Sequence, residues 1–123
     1  GTDTRLIVVG GAGSLYLDKE HTAQLYKSPD FPEEYVEIAT SQVEELAYLR
    51  TRNDVKWTFF SPAADFDDQG KKTGSYTLGG EEFILNKANE SYISYADYAV
   101  ALVDEIENRK FIGKRFTAVG ERA

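Results

Sequence analysis

Arg5-Leu6-Ile7-Val8-Val9-Gly10-Gly11 is the stretch from which the rest of the chain is read. Four consecutive aliphatic residues without polar alternation, ended by two glycines, form the pattern of a strand buried on both faces, and such strands belong inside parallel sheets. Parallel neighbours need a long, usually helical, crossover between them. Residues 12–32 do not supply it, because Pro29, Pro32 and mixed polar residues allow no sustained helix. Residues 33–52 do: Val36, Ala39, Val43, Leu46 and Ala47 recur at three- and four-residue steps, and Pro32-Glu33-Glu34 suits a helix start. The aromatic and β-branched run over 55–61 then reads as a second strand that Pro62 ends, completing strand, helix, strand.

Further along, the alternating runs 75–78 and 82–85 flank Gly79-Gly80, which predicts a small antiparallel hairpin. Ser94 with Asp97 three residues later reads as a capping box opening a helix over 95–108, and 115–119 reads as a closing strand. The expected class is α/β, a parallel sheet with helical crossovers and a small antiparallel hairpin. The strand over 5–9 reads as central, so at least one apolar sheet edge lacks a neighbour and the sheet reads as half of one.

Composition bounds the function. With 123 residues, 41% of them hydrophobic, the chain can build one core, so residues 1–123 are expected to form a single domain. A net charge of −7, from 14 basic and 21 acidic residues, argues against affinity for a phosphate backbone, so no nucleic-acid partner is expected. No apolar run approaches a membrane span and no signal-peptide layout opens the chain, so no membrane partner is expected. The absence of cysteine removes disulfides, thiolate metal sites and thiol nucleophiles and suits the cytoplasm. The chain also lacks methionine and opens Gly1-Thr2-Asp3, for which a missing upstream segment and a processed initiator are both open explanations.

Gly10-Gly11-Ala12-Gly13-Ser14 invites comparison with the dinucleotide fingerprint, but Tyr16 stands where the third glycine belongs and no helix pattern follows. A tight strand exit that lets a ligand edge approach is the better reading, since ligands of open α/β sheets sit beyond the carboxyl ends of strands. Ser61-Pro62-Ala63-Ala64 leaves the second strand at the same sheet edge, so both segments are expected to line one crevice. A plain strand-terminating turn is the alternative. Asp65, Asp67, Asp68 and Gly70 begin like a calcium loop, but Tyr76 occupies the position of its bidentate glutamate, and a solvated turn is expected. His21 is the single histidine; with no second ligand nearby, no metal site is expected, and nothing in the spacing gathers it with Ser14 into a triad. None of the eight tyrosines has a lysine four residues on, so the phenol–lysine pair of many nicotinamide reductases is missing; Tyr48 with Arg52 comes nearest. Tyr35, in the first turn of the long helix, is the best placed tyrosine for catalysis.

Taken together and in order, Gly10-Gly-Ala-Gly-Ser-Leu15, Ser28-Pro-Asp-Phe-Pro32, Trp57-Thr-Phe-Phe-Ser-Pro-Ala-Ala64, Lys72-Thr-Gly-Ser-Tyr76 and Ile93-Ser-Tyr-Ala-Asp-Tyr-Ala-Val100 resemble the carboxyl-terminal half of atypical short-chain dehydrogenase/reductase proteins, the NADH-flavin reductase and NAD(P)-binding epimerase/dehydratase-like group. The resemblance implies that residues 1–123 are the carboxyl-terminal half of an NAD(P)-binding Rossmann domain whose nucleotide loop lies in the other half. It implies cofactor contact at Gly10, Gly11 and Ala12 and, beside the nicotinamide, at Ser61, Pro62, Ala63 and Ala64, with Ser14 as a hydrogen-bond donor to substrate. Its implied cofactor is NAD(P)H in the intact protein and none for this chain alone, with FMN or FAD as substrate. The missing tyrosine–lysine pair puts epimerisation in doubt and favours hydride transfer to a flavin or quinone-like acceptor, which brings its own electron sink. A nucleotide-sensing or partner-binding protein without turnover is the other reading. The expected partners are a small-molecule substrate and a second copy of the chain across the open sheet edge.

Overall fold

A computed structural model describes residues 5–29 and 31–122, so Asp30 of the Ser28–Pro32 motif lies outside the described residues. Strand β1 (Arg5–Val9) leads through a turn-rich segment and a 3₁₀ turn (Leu25–Lys27) to a second 3₁₀ turn (Glu33–Tyr35) that runs into helix α1 (Val36–Arg50). Strands β2 (Lys56–Ser61), β3 (Asp65–Asp67), β4 (Thr77–Gly79) and β5 (Tyr92–Ser94), helix α2 (Tyr95–Asn108) and strand β6 (Lys114–Val119) follow. The main sheet has the order β1-β2-β6-β4, with β1, β2 and β6 parallel and β4 antiparallel to β6, and β3 pairs with β5 in a separate parallel pair. The class is α/β, as the sequence predicts.

Alternation along β2 creates two cores. Trp57 and Phe59 face Leu46 and Leu49 of α1, while Phe60 joins Tyr98 and Ala101 of α2 with Phe116 and Ala118 of β6. One helix therefore covers each face of the sheet, and burial of large aromatic and aliphatic side chains on both sides supplies most of the stabilisation. At the start of α2, the Ser94 hydroxyl accepts a hydrogen bond from the Asp97 N–H at 3.0 Å. At its end Arg109 adopts a left-handed φ of 54°.

Two expectations need correction. The central strand is β2, buried along nearly its whole length. The aliphatic strand β1 lies at the edge, with Leu6 46% and Val9 54% exposed, because nothing among the described residues pairs with its outer side. The antiparallel excursion is present, but Gly79-Gly80 does not turn 75–78 back onto 82–85. Instead Leu78 pairs with Ala118 of β6, and Glu82 bridges to Tyr16. A completed sheet edge outcompetes an isolated two-stranded hairpin, which is marginal by itself. Among the described residues no helix is long and apolar enough to cross a membrane.

Candidate functional site

The parallel strands β1 and β2 deliver their carboxyl ends side by side, and the Gly10 N–H locks the exit by donating to the Phe60 carbonyl at 2.9 Å. Gly10 is required by packing: a Cβ there would lie 2.1 Å from the ring of Phe59, which is fully buried. Gly13 is held in the same way, since its Cβ would come within 2.9 Å of the Ala39 methyl and 3.1 Å of the Tyr26 Cβ. These glycines let a strand exit lie directly against α1, which forms the side of a crevice of about 370 Å³.

Gly11, Ala12 and Gly13 meet Pro62, Ala63 and Ala64 along this crevice, while Tyr35, Ile38, Ala39 and Gln42 line it from the helix side. Leu25, Phe31 and Pro32 contribute from the connecting segment. Phe66 completes the lining; its ring lies 4.2 Å from that of Tyr95 and 4.7 Å from that of Tyr98, which stacks in turn on Phe60 at 3.9 Å. The Tyr98 hydroxyl donates to the Phe60 carbonyl at 2.7 Å, and burial pushes its phenol well above the ordinary range. Tyr98 is thus a neutral structural donor. Among the described residues no lining side chain carries a charge, and Tyr35 and Gln42 bring the polar side chains. Among the described residues neither of those side chains has a hydrogen-bond partner, so both can serve a ligand.

Of the positions singled out in the sequence, the structure brings Gly11, Ala12, Pro62, Ala63, Ala64 and Tyr35 together at one crevice. Gly10 and Ser61 are buried behind it. Ser14 does not line the crevice; it is buried, and its hydroxyl accepts from Arg115 Nη1 at 2.7 Å. Asp65 pairs with Arg122 at 2.8 Å, and Asp67 accepts from the Gln69 N–H and the Tyr92 hydroxyl, each at 2.9 Å, which holds its carboxyl below the usual range. Among the described residues no group of three or more His, Cys, Asp or Glu is arranged to hold a metal. His21 stacks on Tyr16 at 4.5 Å, and Arg52 donates to the Tyr48 hydroxyl at the far end of α1.

Three buried charged residues tie the surrounding architecture together, and their side-chain partners were not foreseen from the sequence. Arg115, with a fully buried side chain, ties the Ser14 hydroxyl and carbonyl to the Ser61 hydroxyl and the Glu81 carboxylate. Desolvation lowers its pKa, and the adjacent Glu81 opposes that. Asp97 accepts from the Thr73 N–H (2.8 Å), the Thr73 hydroxyl (2.7 Å) and the Gly74 N–H (2.9 Å), so the Lys72–Tyr76 and Ile93–Val100 motifs are two halves of one contact. The sequence reading sees only the other half of this residue's role, its N–H at the helix cap. Glu105 pairs with Arg5 and accepts from the N–H groups of Lys110 and Phe111. A lone arginine opening an otherwise apolar strand was the one available signal.

No protein-family model matches the chain. It is 51% identical over 118 residues to the uncharacterized protein YwnB of Bacillus subtilis (strain 168), an alignment that takes in 96% of this chain and 55% of that protein. Among solved structures it resembles a "putative NADH-flavin reductase" of Streptococcus pneumoniae TIGR4 with 52% identity and a TM-score of 0.94, covering 98% of this chain and 58% of that one. It also resembles a "putative epimerase" of Bacteroides thetaiotaomicron with 36% identity and a TM-score of 0.86, covering 98% and 56%. The chain thus spans a little over half the length of the proteins it matches. It is a relative of the proteins that bear the descriptions NADH-flavin reductase and epimerase, the kinship that its motifs imply.

Proposed function

We propose that the chain is part of an NAD(P)H-dependent oxidoreductase that delivers hydride to a flavin or quinone-like acceptor. The observation that carries this reading is the shared crevice: Gly11 and Ala12 from one strand exit and Pro62, Ala63 and Ala64 from the next meet beyond the carboxyl ends of adjacent parallel strands. The similarity to a "putative NADH-flavin reductase" supports it. The residues present fit the ring end of a dinucleotide, because small side chains and apolar atoms leave a flat ring room to lie against backbone. They do not supply its phosphate loop, since turns rather than a helix follow Gly13. The nicotinamide, when bound, supplies a hydride, and with one proton from water the acceptor ends reduced by two electrons.

The chain's own contribution is to exclude water with Phe66, Ile38 and Phe31 and to orient a carbonyl with Tyr35 or Gln42. Acid–base work by a tyrosine–lysine pair has no place in the reading. Calorimetric titration with NADPH, followed by steady-state NADPH oxidation with FMN as acceptor, tests it. Binding with turnover is expected of the complete site; binding without turnover favours the second reading, a nucleotide-sensing protein. That reading draws on one observation, the lack of a lysine four residues after any of the tyrosines. A cytoplasmic setting belongs to the proposal, since a cysteine-free chain suits a reducing compartment. So does a second copy at the open side of β1, where Leu6 and Val9 are exposed; a monodisperse monomer in concentrated sedimentation runs would contradict it.

A further inference from the structure

We propose that the crevice accepts a flat, uncharged, carbonyl-bearing ring and discriminates against the same ring carrying a phosphate. The inference rests on the acceptor reading above and narrows its substrate class to quinones and phosphate-free flavins. Three observations carry it. Among the described residues the lining contains no Lys, Arg or His that could pair with a phosphate. The two turns that bring Pro32, Tyr35 and Ile38 to the crevice also carry Glu33, Glu34 and Glu37, all exposed, so the helical N-terminus that could attract an anion is ringed with negative charge. And what the crevice does offer is aromatic: Phe66, fixed by its contacts with Tyr95 and Tyr98, stands with Phe31 and Tyr35 as ring surface, while the Tyr35 hydroxyl and the Gln42 amide are free to donate to a carbonyl.

Aromatic surface plus one or two donors is the recognition set for a planar conjugated ring. A phosphate monoester adds about −2 charge at neutral pH. Moving it towards three exposed carboxylates, with no cation among the described lining residues, opposes binding, and the overall charge of −7 works in the same direction.

Calorimetric titration of the chain with menadione, riboflavin and FMN at low ionic strength tests this. Menadione and riboflavin are expected to bind, with FMN weaker than riboflavin and approaching it as salt rises. The double variant Glu33→Lys with Glu34→Lys is expected to improve FMN by about threefold or more and to leave riboflavin unchanged. A hidden cation would make FMN bind about tenfold or more tightly than riboflavin. That result overturns this inference and leaves standing the oxidoreductase reading, which is tested by turnover of the complete site. Failure of all three ligands to bind overturns both.

Discussion

Charge is distributed differently on the two sides of the strand exits. Behind them, Arg115, Asp97 and Glu105 are almost wholly buried and each meets several partners. In front, the crevice is open to ligand, yet among the described residues no charged side chain lines it. Buried ionisable groups in an α/β crevice protein invite a catalytic reading, but here their hydrogen bonds go to loops and strand ends. The contrast teaches that charge in this chain fixes architecture, while the candidate site works through shape, aromatic surface and neutral donors.

Removing the hub should break the first half of that contrast most severely. Arg115→Met leaves Glu81 with Arg50 alone and unpairs the buried Ser14 and Ser61 hydroxyls, and is expected to cost about 3 kcal/mol in urea unfolding. Gly10→Ala should rank next, at about 1–3 kcal/mol, because its methyl group would enter the buried Phe59 ring. Tyr98→Phe removes one of the two donors to the Phe60 carbonyl, leaving the Gly10 N–H, and should cost about 1 kcal/mol. Tyr35→Phe should leave stability within about 0.5 kcal/mol, since the residue is half exposed, while weakening ring binding about fivefold through the lost donor. The smallest effect is alkaline. Burial and Asp104 push the Tyr76 phenol up to about 12, so the stability this contact contributes is intact below pH 10 and is lost as pH rises through about 12. Tyrosinate absorbance should therefore show a late-titrating phenol that Tyr76→Phe removes.

The fold was legible where local signals agreed. Ser94 and Asp97 mark the start of α2, Pro62 the end of β2, and the periodicity of Val36 to Ala47 the body of α1. It was misread where neighbours decide. The apolarity of Leu6 to Val9 gives strand and parallel pairing but not position in the sheet, and Gly79-Gly80 gives a break but not the partner of β4. At the site, Gly11, Ala12 and Pro62 to Ala64 could be placed together because both segments end parallel strands. Phe66, Phe31 and Gln42 could not, since β3, the connecting segment and the middle of α1 reach the crevice only through tertiary packing. Ser14 looked like a donor beside a ligand; only the far end of the chain, at Arg115, shows what its hydroxyl contacts.

Backbone amide chemical shifts of the nitrogen-labelled chain, followed while menadione is added, test the central claim most directly. The account predicts saturable shifts at Gly11, Ala12, Gly13, Ala63, Ala64 and Gln42, with the amides of Thr73, Gly74 and Lys110 on the charged scaffold unmoved. Shifts centred on that scaffold, with the crevice amides silent, would contradict it.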